Sequence, residues 1–116
     1  MRHLKKKKTI GRKKDPRKAL LVGLVNNIII YRNIKTTETK AKFLRSKIEK
    51  LITEAKKQTP TAKRNIENFL NNKKTSKILY TNIAPKYKER KSGYTRITKI
   101  GIRKGDGAEI VQIELI

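Results

Sequence analysis

Apolar residues recur at helical spacing in the first half of the chain and predict an amphipathic helix over about residues 16–32. Asp15-Pro16 marks its start, because Asp can cap free backbone N–H groups and Pro suits the first helical position. Asn33 is predicted to end this helix. The broad apolar face predicts a central core helix, and its residues are Leu20, Leu21, Leu24, Val25, Ile28 and Ile29.

A second helix follows a short extended segment over residues 33–37, where β-branched Ile34, Thr36 and Thr37 favour extended backbone. Either threonine can cap the helix. Its apolar positions form the clearest amphipathic pattern in the chain, and they are Ala41, Leu44, Ile48, Leu51, Ile52 and Ala55. The opposite, basic face is predicted to carry Lys40, Lys42, Lys47 and Lys50.

Two shorter helices are predicted next. Thr59-Pro60 starts one that includes Ile66, Phe69 and Leu70 and ends near Asn71-Asn72. The other covers about residues 74–84 and is expected to stop at Pro85, which cannot continue a helix without strain. Residues 86–92 follow as a loop with four bases and one acid, called here the basic loop.

The chain ends in a predicted antiparallel hairpin. Residues 94–103 form its first strand, in which Ile97 and Ile100 break strict alternation and indicate a bulge or burial on both faces. Gly105-Asp106-Gly107 turns the chain. Residues 110–116 alternate cleanly between apolar and polar positions. A lone hairpin is only marginally stable, so helices must cover one face, and the 33–37 segment can add a strand.

Charge divides the chain into two parts. Thirty-two Lys and Arg against nine Asp and Glu give a formal net charge of +23 over 116 residues. Residues 1–14 contain eight Lys or Arg and no carboxylate, so we expect an extended basic arm, followed by one globular domain over 15–116. Such a charge favours a polyanionic partner, because binding to nucleic acid releases counterions.

The same composition argues against most other functions. There is no cysteine, and the single histidine, His3, lies in the arm, where it can contact RNA or remain an inert solvated ring. No two carboxylates form a helical pair suited to acid–base chemistry. We therefore expect no enzyme, metal, cofactor or small-molecule substrate. No apolar run reaches transmembrane length, and a cytoplasmic protein without a membrane partner is expected.

Aromatic residues are too scattered for the paired strand motifs of an RNA-recognition sheet. Tyr87, near the start of the basic loop, and Tyr94, just after it, are the better candidates for stacking on bases. Gly105-Asp106-Gly107 lacks the Gly-Lys-Ser/Thr ending of a phosphate loop and is better explained as a hairpin turn. Arg103-Lys104, just before it, can still bind a backbone phosphate.

The chain resembles the L17 family of bacterial large-subunit ribosomal proteins along its whole length and in the same order. The resemblance begins with Met1-Arg2-His3 and Gly11-Arg12. It continues through the segments Arg17-Lys18-Ala19, Ile34-Lys35-Thr36-Thr37-Glu38, Ile83-Ala84-Pro85-Lys86-Tyr87, Gly93-Tyr94-Thr95-Arg96-Ile97, Arg103-Lys104-Gly105-Asp106 and Ile113-Glu114-Leu115-Ile116.

This resemblance implies an α+β fold: a small mixed sheet with the C-terminal antiparallel hairpin, packed against about four helices. It also implies a structural protein of the large subunit that binds rRNA by charge neutralisation and shape, near the nascent-chain exit and beside other ribosomal proteins. An architectural DNA-binding protein is the alternative. The residues assigned to rRNA are Arg2, His3, Lys5, Lys6, Lys7, Lys8, Arg12, Lys13, Lys14, Arg17, Lys18, Tyr94, Arg96, Arg103 and Lys104.

Overall fold

Helices fill the first two thirds of the domain and a hairpin completes it. The computed structural model describes residues 13–116. The elements are α1 (Lys14–Tyr31), β1 (Asn33–Thr37), α2 (Glu38–Lys56), α3 (Pro60–Leu70), α4 (Lys73–Ile78), a π-helical turn (Leu79–Ile83), α5 (Ala84–Lys86), β2 (Thr95–Ile102) and β3 (Glu109–Leu115). The α+β architecture predicted from the sequence is confirmed.

The amphipathic pattern of α2 translates directly into burial. All six of its predicted apolar positions lie in the core, since their three- and four-residue spacing keeps them on one face. The buried stripe of α1 is narrower than predicted: Leu21, Val25, Ile28 and Ile29 are buried, whereas Leu20 and Leu24 are only partly covered. Helix α1 also begins at Lys14, inside the predicted arm.

The two shorter helices are confirmed, but the stop at Pro85 is wrong. Helical backbone continues through Pro85 to Lys86 after the π-helical turn, in which the Ala84 N–H donates to the Leu79 carbonyl. Proline lacks an N–H and its ring clashes with the carbonyl four residues earlier in an α-helix. The wider turn shifts the preceding carbonyls and thereby accommodates the ring.

The sheet has the strand order β1-β3-β2 and is antiparallel throughout, where a mixed sheet was expected. β1 joins the sheet by pairing with β3 from Asn33–Glu114 to Thr37–Ile110. Val111 and Ile113 point into the core on the face that α2 covers. The predicted bulge is present, since the pairing of β2 with β3 shifts register between Lys99 and Gly101.

The last residues of the chain are held at the base of the sheet. The Leu115 N–H donates to the Arg32 carbonyl at 2.9 Å, and the Ile116 N–H donates to the Tyr94 carbonyl at 2.9 Å. The Tyr87 hydroxyl donates to the Ile116 carbonyl. Buried side chains from α1, α2, α3, the π-helical turn and the sheet form one contiguous cluster, so these elements share a single core.

Candidate nucleic-acid interface

The predicted arm lies largely outside the described residues, and only its root has a place in the structure. Arg2, His3, Lys5, Lys6, Lys7, Lys8 and Arg12 are among the residues not described. Lys13 precedes α1, and Lys14, Arg17 and Lys18 lie on its first two turns. Lys14 and Lys18 are exposed, and Arg17 is partly buried. These bases add to the positive end of the helix dipole, so the root of the arm is a region of positive potential.

Lys47, which the sequence placed on the basic face of α2, continues this positive region but is not fully exposed. Its side chain is partly buried and its Nζ lies 4.2 Å from the centre of the Phe69 ring on α3. Burial is the main cause that lowers the pKa of Lys47, and the charges of Lys50 and Lys18 add to the effect. Positive charges from α1 and α2 therefore lie within electrostatic reach of one another.

Among the described residues, the structure corrects the predicted base stacking by Tyr94 and Tyr87. Its side chain is 0% exposed, and its ring packs against Tyr87 with centroids 5.2 Å apart and planes tilted by 56°. Tyr87 is 4% exposed. Neither ring can stack on a base, because both complete the core beneath the basic loop. Burial also raises the pKa of the Tyr87 hydroxyl, since it disfavours the charged phenolate.

The Tyr94 hydroxyl instead holds the basic loop. It donates to the Lys91 carbonyl at 2.8 Å and lies 3.2 Å from the Arg90 carbonyl. Lys56 on α2 donates to the same hydroxyl at 3.0 Å and to the Arg90 carbonyl. The loop side chains remain at the surface: Lys86, Lys88, Arg90 and Lys91 are all exposed.

The hairpin carries the remaining predicted contacts. Arg96 is exposed on β2 and pairs in register with Glu114. Arg103 makes two hydrogen bonds to Asp106 across the turn, from Nε to Oδ1 at 3.0 Å and from Nη2 to Oδ2 at 2.6 Å. This contact raises the pKa of Arg103 and lowers that of Asp106 to about 2. Lys104 beside it is exposed.

The predicted residues therefore fall into two groups and not one cluster. Lys13, Lys14, Arg17 and Lys18 lie at the start of α1, whereas Arg96, Arg103 and Lys104 lie along the hairpin. No ion pair or hydrogen bond joins the two groups within residues 13–116. Since Arg103 is already paired with Asp106, Arg96 and Lys104 are the more available cations of the hairpin group.

Sequence reasoning left out several bases that the structure brings to notice. Lys47 and Lys50 on α2 were assigned only to a polar face, and Lys88 and Lys91 only to a loop. The density of bases in residues 86–92 was visible in the sequence and was a usable signal. The position of Lys47 over Phe69 was not, because it depends on how α2 packs against α3.

The described part of the chain shows neither a metal site nor a membrane-spanning helix, and most of its basic side chains form no ion pair. Within residues 13–116 no group of three or more His, Cys, Asp or Glu side chains could hold a metal ion. No helix among these residues is long and apolar enough to cross a membrane. Every carboxylate of the chain lies in this part, and ion pairs there occupy only Lys42, Lys57, Lys99 and Arg103. The surface keeps a large excess of uncompensated positive charge.

A family model and the curated relatives of this chain indicate the same protein family. The model of the family described as ribosomal protein L17 matches residues 20–116. Among curated relatives, the large ribosomal subunit protein bL17 of Clostridium perfringens (strain SM101) is 49% identical over 107 residues, which cover 92% of this chain and 95% of the relative. That of Clostridium botulinum (strain Hall) is 48% identical over the same extent. The chain belongs to the ribosomal protein L17 family.

Proposed function

We propose that the protein is a structural constituent of the large ribosomal subunit and binds large-subunit rRNA mainly through the phosphate backbone. The observation that carries this proposal is the uncompensated positive charge of a folded domain in a ribosomal protein family. A net charge of +23 destabilises a compact chain by self-repulsion, and a polyphosphate chain relieves it. Backbone contacts fix position and orientation, and RNA shape supplies the selectivity.

The proposed interface combines the arm, its root on α1 and the exposed bases of the hairpin. Lys18 and Lys47 extend the arm's charge onto α2. Arg96 and Lys104 supply a second area of contact on β2 and at the hairpin tip. A ribosomal protein of this family is a structural component and not an enzyme. The proposal includes a position near the nascent-chain exit and contacts with neighbouring ribosomal proteins, in cytoplasmic ribosomes.

An architectural DNA-binding protein is the second candidate, because the hairpin is two-stranded and exposes apolar residues. Ile100 and Ile102 are 49% and 70% exposed, and architectural proteins use apolar wedges to open base steps. The hairpin is short, however. β1 accompanies β3 as far as the Thr37–Ile110 pair, so only the turn projects beyond the sheet. A projecting arm that could follow a DNA groove is therefore missing from the described residues.

Competition binding tests the proposal. The full-length protein is bound to labelled large-subunit rRNA at moderate salt, and unlabelled rRNA or duplex DNA of equal length is added. We expect rRNA to displace the label at much lower concentration, because the proposed site fits RNA shape and 2′-hydroxyls. Equal competition by the two polymers would reject the rRNA assignment in favour of the DNA-binding alternative.

Sedimentation tests the cellular part of the proposal. A tagged full-length protein should migrate with large subunits and assembled ribosomes in a gradient of cell lysate. Its recovery only in free or nucleoid-bound fractions would contradict a ribosomal role. Crosslinking of the protein within purified subunits then identifies its neighbours, and crosslinks remote from the nascent-chain exit would reject that position.

A further inference from the structure

The basic loop, residues 86–92, concentrates charge on an unusually well-anchored backbone. Its four bases are exposed, and no ion pair within residues 13–116 involves any of them. Glu89 is the only acid in the loop. Loops of this composition are ordinarily mobile, because charged side chains give the backbone nothing to pack against. Here the anchoring comes from beneath the loop.

Two groups hold the loop to the core, and a third contact closes the loop on itself. The Tyr94 hydroxyl bonds the Lys91 carbonyl at 2.8 Å and lies 3.2 Å from the Arg90 carbonyl. Lys56 reaches up from α2 to the Arg90 carbonyl and to the Tyr94 hydroxyl. The Arg90 guanidinium closes the loop by donating to the Gly93 carbonyl at 3.1 Å.

The two tyrosines make these bonds rigid. Tyr94 is held by its place in the core and by the Tyr87 ring, and Tyr87 is itself held by its hydrogen bond to the Ile116 carbonyl. A buried ring has few rotamers, so its hydroxyl is a fixed point. Fixing the backbone near Lys88 and Lys91 reduces the conformational entropy that these residues lose when they bind a ligand.

We propose that the basic loop is a preorganised phosphate-binding element of the rRNA interface, with Lys88 and Lys91 as the contacts and Tyr94 as a positioning residue. This inference rests on the proposed function and adds a third area of contact to the arm root and the hairpin. Tyr94 acts without touching RNA. Its hydroxyl sets the path of the backbone from which the lysines project.

The structure favours RNA phosphate over a protein partner at this loop. The exposed side chains of residues 86–92 are almost all charged or polar, and the two large apolar rings nearby are turned inward. Protein interfaces need an apolar centre, with aromatic residues enriched there and lysine depleted. A loop of exposed lysines over buried tyrosines fits a phosphate backbone instead.

The first experiment compares two double variants that lose the same charge. Lys88→Gln/Lys91→Gln removes the proposed contacts. Lys42→Gln/Lys57→Gln removes two exposed lysines that already form ion pairs, at 3.0 Å to Glu38 and 3.2 Å to Glu54. Affinity for large-subunit rRNA is measured against salt for each. We expect the loop variant to flatten the slope of log affinity against log salt by about 1.5 units, and the control to change it little.

The outcomes separate the two proposals. Equal losses of rRNA affinity and of salt slope in both double variants would show that binding depends only on net charge. This result would overturn the loop assignment. Failure of the unaltered protein to bind rRNA at all would overturn the proposed function itself. A partner protein captured by the loop, together with unchanged rRNA binding in the loop variant, would also overturn the loop assignment.

The second experiment tests Tyr94 by the conservative change Tyr94→Phe, which keeps the ring in the core and removes the hydroxyl. We expect faster tryptic cleavage after Lys88, Arg90 and Lys91 with nearly unchanged melting. Affinity for rRNA should fall about three- to tenfold, the cost of ordering one or two loose side chains on binding. The loss caused by Lys88→Gln/Lys91→Gln should become smaller in the Tyr94→Phe background.

Unchanged cleavage and affinity in Tyr94→Phe would reject the positioning role. Additive losses in the combined variant would reject it too, since they would mean that the hydroxyl acts independently of the loop lysines.

Discussion

Lys47 shows at a single side chain the repulsion between like charges that affects the whole molecule. Its ammonium lies over the Phe69 ring, partly out of water, with the charges of Lys50 and Lys18 nearby. The ring face attracts the cation, whereas burial and like charges oppose its protonation. A phosphate placed beside these lysines would raise the pKa of Lys47 again, because an opposite charge stabilises the protonated form.

We therefore predict that the Lys47 amine titrates below its ordinary pKa of 10.5 in the free protein and that bound rRNA raises this pKa. Because the pKa of Lys47 is lowered in the folded state, the cost of keeping the amine protonated is relieved, and stability rises, as pH increases through this lowered pKa. NMR of lysine Nζ groups follows the titration with and without rRNA, and Phe69→Leu serves as a control for the ring. A pKa that is the same in both states would place Lys47 outside the interface.

Asp106 provides a second titration, at acid pH. Two hydrogen bonds from Arg103 and one from the Ala108 N–H stabilise its charged form and lower its pKa from 3.8 to about 2. The contribution of this ion pair to the turn is complete above pH 3.8 and is lost as pH falls through about 2. Because both side chains of the pair are exposed to solvent, its effect on overall stability is small.

We predict that carboxyl NMR gives Asp106 a midpoint near 2 and that Arg103→Gln moves the midpoint toward 3.8. Lys104→Gln, which removes a neighbouring charge without a hydrogen bond to Asp106, should move it much less. An Asp106 midpoint that is unchanged by Arg103→Gln would show that the turn is not held by this pair.

At the scale of elements, α2 is the part on which the rest of the fold is assembled. One face packs on the sheet, and its neighbours include α1, α3 and the π-helical turn. Its first turn carries Glu38, which is suited to the positive end of the helix, and its last turn carries Lys56. The same lysine then anchors the basic loop, so α2 connects the core to the surface.

Ile48, fully buried at the middle of α2, tests this role. We predict that Ile48→Ala lowers the free energy of unfolding by about 2–5 kcal/mol, because it leaves a cavity, and that Ile48→Val lowers it by about 0.5–1.5 kcal/mol. Leu24→Ala on α1 should cost less than Ile48→Ala, since Leu24 is only partly buried. Urea denaturation measures all three, and equal midpoints for the alanine variants would contradict the assigned core.

At the scale of the molecule, we predict that the folded residues 13–116 and the basic N-terminal residues have separable tasks. The domain has its own core, whereas residues 1–12 contain six bases and few apolar residues. Their charge adds to that of Lys13, Lys14, Arg17 and Lys18 at the start of α1. The largest concentration of positive charge in the sequence is therefore attached to the end of a helix that is anchored in the core.

We predict that deletion of residues 1–12, which spares Lys14 at the start of α1, leaves the melting temperature unchanged or slightly higher because repulsion falls. Binding should respond strongly. If about three to five of the six bases contact phosphates, the slope of log affinity against log salt flattens by ~2–4 units. A truncated protein with the slope of the full-length protein would show that these residues do not contact rRNA.

The sequence was sufficient wherever a property depends on local spacing or on composition. The apolar face of α2, most of that of α1 and the C-terminal hairpin follow from short-range patterns, because helical and strand periodicities place side chains on defined faces. The same patterns allowed a bulge in the hairpin and a third strand at 33–37. The expectation of a polyanionic partner likewise rests on net charge alone, which is read from the composition, and it stays a prediction.

Tertiary structure decided what depends on contacts between distant segments. Tyr94 has the sequence context of an exposed ring beside a basic loop, yet packing against Tyr87 buries it and makes its hydroxyl an anchor. Lys47 lies on a polar helix face, yet α3 brings Phe69 beneath it. Helical backbone passes Pro85 because a π-helical turn precedes it. In each case the local sequence pattern determines on which face of an element a residue lies. The residue that packs against it is determined by how the elements pack together.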